Sequence, residues 1–182
     1  MVTTTLVTLA DFERLGEEAE EYEVIDGMLV RREGMGRIHG RLGFDLGGYL
    51  WLHLRPGRLG ELYTSDTNFL LPLDPLVLVK PDIAFIRADR LPPDTELEGP
   101  LTVVPDLVVE VRSPGDRPST IDRKIERYRS AGVPLVWLVR PRERTVTVFA
   151  QGQEPRVLGI NDVLDGGNVL PGFRLPLADL FG

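Results

Sequence analysis

A glutamate stands in the middle of a strongly apolar segment of this 182-residue chain. Every residue from Leu107 to Val111 is aliphatic except Glu110. Alternation with a period of two predicts a strand, and a continuous aliphatic run is typical of a strand that is covered on both faces. A carboxylate in such a strand costs several kcal/mol unless it pairs with a cation or binds a metal ion. Glu110 is therefore either a metal ligand or one half of a structural ion pair with a neighbouring arginine.

Asp82 offers a second carboxylate in a similar setting. It lies within Val77–Arg87, which we predict to be a strand, and alternation places it on the same face as Lys80 and Ala84. Taken alone, Asp82 is better explained as a residue at the mouth of a strand, where it is solvated or caps a turn. With Glu110 it supplies two hard oxygen donors, which suit Mg²⁺ or Mn²⁺. A metal ion held in this way activates water and neutralises a phosphate, which is the chemistry of phosphodiester hydrolysis.

A lysine in the next predicted helix can join these carboxylates. Pro118 opens the helix, which runs to Ala131, and Gly132 ends it. A lysine inside the apolar stripe often extends to the edge of the helix and meets water. Because this helix directly follows the strand of Glu110, we expect it to pack back over that strand and bring Lys124 towards the carboxylates. There it can orient or deprotonate a water molecule and stabilise charge on a phosphate. The stripe at spacings of three and four consists of Ile121, Lys124, Ile125 and Tyr128.

The rest of the sequence predicts the helices and strands that position these three residues. We expect a helix from Leu9, a hairpin over Glu23–Val30 turning at Asp26-Gly27, a helix over Arg37–Leu54, strands at Phe69–Pro72, Leu135–Val139 and Thr145–Phe149, a loop at Leu91–Gly99, and C-terminal strands with a closing turn at Pro171-Gly172-Phe173. The core stripe of the long helix is predicted as Ile38, Leu42, Leu46, Tyr49, Leu50 and His53. This order predicts a mixed α/β (α+β) fold with helices on both sides of a central sheet, in one domain over residues 1–182.

Composition narrows the classes of function. The absence of cysteine excludes disulfide frameworks, zinc–thiolate sites and cysteine nucleophiles. A net charge of −7 argues against broad coating of DNA but leaves room for a small basic cleft. A cluster of arginines forms either such a cleft or a solvated helix face. The cluster consists of Arg112, Arg117, Arg123, Arg127 and Arg129. Met1 to Ala10 has no basic residue before a hydrophobic stretch, and no apolar run approaches the ~20 residues of a membrane span. We therefore expect a cytoplasmic protein without membrane contact.

Several of these segments together resemble a known family. The matching segments are Tyr22–Gly27, His39, Pro81-Asp82, Val109–Arg117, Lys124, Tyr128, Ala131–Pro134, Trp137–Val139 and Leu170–Leu175. They are similar to the bacterial putative restriction-endonuclease family of the PD-(D/E)XK nuclease superfamily, and the resemblance covers essentially the whole chain. The sequence departs from the family at Val136 and Arg140, where tyrosine and aspartate are expected.

The resemblance implies roles for individual residues. Asp82 and Glu110 are the implied metal ligands, and Lys124 is the implied catalytic lysine, moved from its usual strand position onto the following helix. Arg112 occupies that usual lysine position, where arginine can bind phosphate but is a poor general base. Glu23 is either a further ligand, a residue that orients water, or an exposed hairpin carboxylate. His39 is treated as a polar residue at the helix start and left outside the site.

The resemblance also implies an activity, with alternatives. The first hypothesis is a Mg²⁺-dependent (or Mn²⁺-dependent) DNA endonuclease with a restriction-endonuclease-like core, possessing an N-terminal hairpin and C-terminal strands. The second is a non-enzymatic protein that keeps the fold as a binding or assembly module. A third is hydrolysis of RNA or of a small phosphodiester. Many nucleases of this superfamily act as dimers, so the resemblance also implies a homodimer.

Overall fold

The computed structural model of the protein describes residues 6–32, 34, 36–93 and 99–182. Helices and strands are interspersed along these residues. The helices are α1 Leu9–Glu13, α2 Arg37–Leu54, α3 Pro118–Ser130 and α4 Leu177–Phe181, with 3₁₀ turns at Gly16–Glu21 and Ala88–Arg90. The strands are β1 Tyr22–Ile25, β2 Met28–Arg31, β3 Gly60–Thr64, β4 Phe69–Leu71, β5 Val77–Val79, β6 Ile83–Arg87, β7 Leu107–Val111, β8 Leu135–Arg140, β9 Thr145–Ala150, β10 Arg156–Leu158, β11 Val163–Gly166 and β12 Leu170–Pro176.

The central sheet has six strands in the order β10-β9-β8-β7-β6-β3. Strands β7 and β8 run parallel, and the other neighbours in this sheet are antiparallel. Parallel neighbours need a crossover connection, which α3 provides between β7 and β8. Every residue of β7 is buried, as the aliphatic run predicts. The crossover therefore lays α3 across the sheet directly beside Glu110.

Helices cover both faces of this sheet, as predicted. On one face, α2 packs against β7 and β8 through a core that contains Leu42, Leu46, Leu50, Val109 and Trp137. On the other face, α3 packs against the same strands through a core that contains Ile121, Ile125, Tyr128, Val108 and Val136. The alternation of β7 thus sends Val109 to the α2 side and Val108 to the α3 side, and Glu110 follows Val108.

A second sheet, in the order β2-β1-β5-β4, shares the core on the α3 side. The hairpin between β1 and β2 turns as predicted, because Asp26 and Gly27 adopt φ values of 55° and 70°. Ile25 of β1 and Val79 of β5 are buried and join the core that contains α3. This sheet therefore brings β1, and with it Glu23, close to the helix of Lys124. A third, two-stranded sheet pairs β11 with β12.

The prediction of one strand over Val77–Arg87 is wrong. The segment forms β5 and β6, which belong to different sheets and are separated by Lys80, Pro81 and Asp82. Pro81 has no N–H to donate to a strand ladder, so the chain leaves one sheet there and enters the other. The break places Asp82 directly before β6 rather than inside a strand.

The bounds predicted for α2 are confirmed, but its predicted core stripe is partly wrong. Ile38 is 54% exposed and Tyr49 is 37% exposed, whereas His39 is only 7% exposed. The stripe continues backwards from Leu42 at a spacing of three, which puts His39 rather than Ile38 on the face that meets the sheet.

Two further differences concern the edges of the fold. Strand β3 was not predicted, because its buried and exposed residues do not alternate regularly. Pro171-Gly172-Phe173 lies within β12 instead of forming a closing turn, and α4 follows it. Residues 94–98 of the predicted loop Leu91–Gly99 lie outside the described residues. In the described ranges, no helix is both long and apolar enough to cross a membrane.

Candidate active site

Asp82 directly precedes β6, and Glu110 lies on β7, the neighbouring strand of the central sheet. Strand β6 pairs with β7 so that Ile83 is opposite Val109, and continuing this register by one residue brings Asp82 beside Glu110. A hydrogen bond secures the arrangement, since the Val111 N–H donates to Asp82 Oδ2 over 2.7 Å. The structure therefore brings together the two carboxylates that the sequence singled out.

Lys124 reaches these carboxylates from α3. Its Nζ lies 2.8 Å from Glu110 Oε1 and 2.9 Å from Glu23 Oε1. All three side chains are at least nine-tenths buried. The Tyr128 hydroxyl, one turn further along α3, donates to Glu110 Oε1 over 2.6 Å. The lysine in the apolar stripe thus meets carboxylates and does not extend to water.

Glu23 is buried and is not the exposed hairpin carboxylate of one sequence interpretation. Its side chain comes from β1 of the second sheet, and its Oε1 also accepts the Lys80 N–H over 2.6 Å. Lys124 consequently faces two carboxylates, one from each sheet. A buried ion pair is stable only when its geometry and additional hydrogen bonds offset the loss of hydration, and both are present here.

The charges in this cluster shift its protonation equilibria. Burial raises the pKa of Glu110 to about 7, with Lys124 opposing the shift and the charges of Asp82 and Glu23 adding to it. Burial works to lower the pKa of Lys124, but the charges of Glu110 and Glu23 outweigh it and raise that pKa above its ordinary value. Burial and the nearby carboxylates also raise the pKa of Tyr128 well above its ordinary value. Lys124 therefore carries its charge at neutral pH, and Tyr128 remains a hydrogen-bond donor.

His39, which the sequence analysis left out of the site, lies in contact with Asp82. Its Nε2 is 3.0 Å from Asp82 Oδ2. Burial works to lower the pKa of His39, and the hydrogen bond and charge of Asp82 more than offset that, so the pKa is raised. The signal that identifies His39 is its register with the Leu42 and Leu46 stripe of α2, which points it towards the sheet.

Asp116 is a second residue that the sequence analysis did not select. Burial raises its pKa, and the charges of Lys124, Asp82 and His39 all act on it, which places it close to the site. Its Oδ2 accepts the Ser113 N–H over 2.6 Å, so the carboxylate caps the turn between β7 and α3. The motif Ser-Pro-Gly-Asp after the strand is a turn signal that could have indicated this role.

Arg112 directly follows β7, two residues after Glu110. Its Nη1 is 3.8 Å from Glu143 Oε1, and its side chain is about one-third exposed. It lines a cavity together with His39, Arg37 and Arg142. Arg112 is thus near the carboxylates yet still accessible to an anion.

The donor set fits a divalent cation with an open coordination sphere. In the described part of the chain, hydrogen bonds and ion pairs to Asp82 and Glu110 use one oxygen of each carboxylate, Oδ2 and Oε1. No group of three or more His, Cys, Asp or Glu side chains is placed there to hold a metal ion. Mg²⁺ commonly binds through one or two carboxylates and keeps its waters and substrate phosphates as the other ligands. Two carboxylates therefore fit such an ion, whereas Glu23 does not complete a three-residue ligand group.

The fold is shared with a protein of known structure. A crystal structure of a putative nuclease from Anabaena variabilis superimposes on this chain with a TM-score of 0.86, covering 96% of this chain and 97% of that one. The two sequences are 21% identical, so the likeness establishes a shared fold and no more. No curated protein matches the chain.

The family follows from the sequence as a whole. The model of the Uma2 family, described as "putative restriction endonuclease", matches residues 9–178. The match spans the hairpin of Glu23, both strands that position Asp82 and Glu110, and the helix of Lys124. The chain belongs to this family.

Proposed function

We propose that this protein is an endonuclease that hydrolyses phosphodiester bonds of DNA with the help of Mg²⁺ or Mn²⁺. The observation that carries the proposal is the buried Lys124 ammonium, 2.8 Å from Glu110, with Asp82 at the start of the adjoining strand β6. Membership of a family described as restriction endonucleases supports the same reaction.

Asp82 and Glu110 are the proposed ligands of the metal ion. Their free oxygens, Asp82 Oδ1 and Glu110 Oε2, are the donors available to it, and the hydrogen bonds from Val111 and His39 fix the orientation of Asp82. When bound, a divalent cation would neutralise charge on the phosphate and make a water molecule more acidic. We assign His39 to positioning Asp82 because its Nε2 lies within hydrogen-bond distance of that carboxylate.

Lys124 is proposed to stabilise negative charge on the phosphate. Its raised pKa keeps it protonated at neutral pH, which suits an electrostatic role better than that of a general base. Glu23 was a candidate metal ligand, but within the described residues it forms no three-residue ligand group with Asp82 and Glu110. Its Oε1 accepts from both Lys124 and the Lys80 N–H. We therefore assign Glu23 to holding Lys124 in place.

The overall reaction needs a water oxygen to attack phosphorus while the bond to the leaving oxygen breaks. The chain contributes a fixed cation, Lys124, and an arginine, Arg112, near the two carboxylates. Positive groups that are already in position when charge develops on the phosphate are the largest common source of catalysis in such reactions.

A non-enzymatic role on the same fold is the competing hypothesis. It is favoured by one observation, namely that Glu110 already has two partners, Lys124 and Tyr128, without a metal ion. Such a closed network is what a structural ion pair needs. Hydrolysis of RNA is a variant of the first hypothesis, and its site would be the same.

Nicking of supercoiled plasmid DNA separates these hypotheses. We expect the wild type to nick DNA with Mg²⁺ or Mn²⁺ and not with EDTA, and we expect Asp82→Asn, Glu110→Gln and Lys124→Met each to lower the rate at least about a hundredfold. Glu126→Gln is the matched control, because that carboxylate lies exposed on the same helix as Lys124 and outside the cavities beside the site. A folded wild type that does not nick DNA with either metal ion would support the non-enzymatic role, and nicking that the three site variants leave unchanged would contradict the assigned site. A parallel assay on RNA shows whether the ribose or the deoxyribose backbone is cleaved.

A further inference from the structure

The outward face of α2 carries glycines that the packing of the chain does not require. A Cβ added at Gly40, Gly43 or Gly48 would meet nothing within 4 Å, and one at Gly47 would make only an ordinary contact of 3.7 Å with Ile83. Glycine inside a helix is less stable than alanine because it loses more backbone freedom on folding. Contacts within the described residues do not offset this loss of stability. Because these glycines have no side chains, they leave a shallow depression on the helix surface that another molecule can occupy.

Two exposed aromatic side chains stand on the same face of α2. Phe44 is 82% exposed and Trp51 is 48% exposed. They are seven residues apart, which is about two helical turns, so both project to the same side, about 10 Å from each other. The Arg55 guanidinium lies over the Trp51 ring, 4.6 Å from its centroid. Exposed rings beside a trough of glycine form a surface on which flat groups can stack.

This surface leads into the candidate active site. Phe44 and Trp51 line a cavity of about 570 Å³ that also contains Asp82 and His39. That volume is within the usual range of ligand cavities, ~300–1,000 Å³. His39 is more than nine-tenths buried, and its Nδ1 has no hydrogen-bond partner in the described ranges, which leaves a buried polar atom for an incoming group to satisfy.

Arginines flank this cavity at both ends. Trp51 also lines a neighbouring cavity with Arg55 and Arg58. His39 likewise lines the cavity of Arg37, Arg112 and Arg142 on the other side. We call the three cavities together the α2 groove. Its lining has these five arginines against three acidic residues, Glu61, Glu143 and Asp82, in a chain whose net charge is −7. The groove is thus locally basic on an acidic protein.

We propose that the α2 groove binds a single-stranded polynucleotide, with bases stacked on Phe44 and Trp51 and phosphates near the flanking arginines. The inference rests on the proposed nuclease function and names its substrate class. Bases of a duplex are stacked on one another and paired, so they are not available to protruding aromatic side chains, whereas bases of a single strand are. Arginines at both ends favour a polyanion over a second copy of this chain.

Fluorescence anisotropy with the full chain in EDTA tests this binding without cleavage. The probes are labelled oligothymidine and oligouridine of about 20 nucleotides, longer than the ~4–16 nucleotides of known single-strand sites, and a duplex of the same length. We expect a single strand to bind at least about tenfold more tightly than the duplex, and Phe44→Ala and Trp51→Ala each to weaken that binding by about tenfold. The deoxy and ribo probes identify the preferred sugar.

Two further variants separate loss of the groove from a general effect of losing an aromatic side chain and from a loss of stability. Tyr49→Ala removes an exposed aromatic side chain from the same helix but outside the groove, and we expect unchanged affinity. Gly43→Leu fills the trough with a better helix former, so we expect a protein at least as stable that binds the strand more weakly.

Several outcomes would overturn the proposal. They are equal or tighter binding of the duplex, unchanged binding by the Phe44 and Trp51 variants, and a wild-type dimer in sedimentation that Phe44→Ala converts to a monomer, which would make the groove a self-association surface. Single-strand binding without metal-dependent cleavage contradicts only the nuclease function. Metal-dependent cleavage without a preference for single strands contradicts only the groove.

Discussion

At the scale of single residues, Glu110 and Glu23 approach the same ammonium group, that of Lys124. This shared contact determines the charge balance of the site. One cation, Lys124, faces two buried carboxylates, with Asp82 nearby as a third negative group. The cluster therefore carries excess negative charge in a region from which water is largely excluded. A divalent cation would relieve this excess, which links the electrostatics of the cluster to the proposed metal ion.

The raised pKa of Glu110 predicts how stability depends on pH. The pKa rises from an ordinary 4.5 to about 7, so the folded state binds more protons than the unfolded state between these two values. For this group, the free energy of unfolding is then highest below about pH 4.5 and falls as pH rises to about 7. We expect the stability of the wild type relative to Glu110→Gln to fall, by at most about 3 kcal/mol, between about pH 5 and pH 8 in EDTA.

Urea denaturation of both proteins across this pH range measures the difference. The contribution of His39, whose pKa is also raised, is present in both proteins and largely cancels in the comparison. Lys124 has a raised pKa as well, but its contribution is lost only in strongly alkaline solution, outside the window. Parallel pH profiles for the two proteins would show that Glu110 is not the titrating group.

The sequence was enough to select Glu110 and Lys124, because each is a charged residue in an otherwise apolar pattern, and Asp82 was selected in combination with them. It was not enough to select His39. The contact of His39 is with Asp82, 43 residues away, and a single sequence does not show which helix will cover which strand. The sequence also left open whether Glu23 is buried or exposed. Its burial depends on a second sheet packing over α3, which a single sequence does not show.

At the scale of elements, the α3 crossover and the α2 face determine where the site forms. The crossover between parallel strands forces α3 to lie beside β7, and the apolar stripe of α3 then fixes the direction of Lys124. Both features are local patterns, so the sequence predicted them correctly. The break between β5 and β6 depends on two sheets competing for adjoining segments, and the apolar pattern of Val77–Arg87 does not show it.

The corrected face of α2 leads to a prediction about stability. Leu46 is fully buried against the central sheet, whereas Leu52 on the same helix is 64% exposed. We expect Leu46→Ala to lower the free energy of unfolding by about 2–5 kcal/mol, since it leaves a cavity in the core. Leu52→Ala is the matched control and should change stability by no more than about 0.5 kcal/mol. Equal effects of the two substitutions in chemical denaturation would show that α2 packs through a different face.

At the scale of the whole molecule, we propose that residues 1–182 form one folding unit. Strands and helices from both ends of the chain contribute to the two cores that enclose the central sheet. Far-ultraviolet circular dichroism reports all the elements, while the fluorescence of buried Trp137 in a Trp51→Phe variant, which removes the other tryptophan, reports the centre of the sheet. We expect coincident unfolding transitions by the two signals, because a chain with shared cores unfolds cooperatively. Separate midpoints would indicate two independent units.

The central claim is that Asp82 and Glu110 together hold a divalent cation beside Lys124. Anomalous diffraction from crystals soaked in Mn²⁺ tests this claim most directly, because it locates the ion and its ligands without relying on activity. We predict an anomalous peak bonded to one oxygen of each carboxylate at about 2.1 Å, with waters completing the coordination sphere. Crystals that bind Mn²⁺ elsewhere or not at all, with Glu110 still paired to Lys124 and Tyr128, would contradict the account.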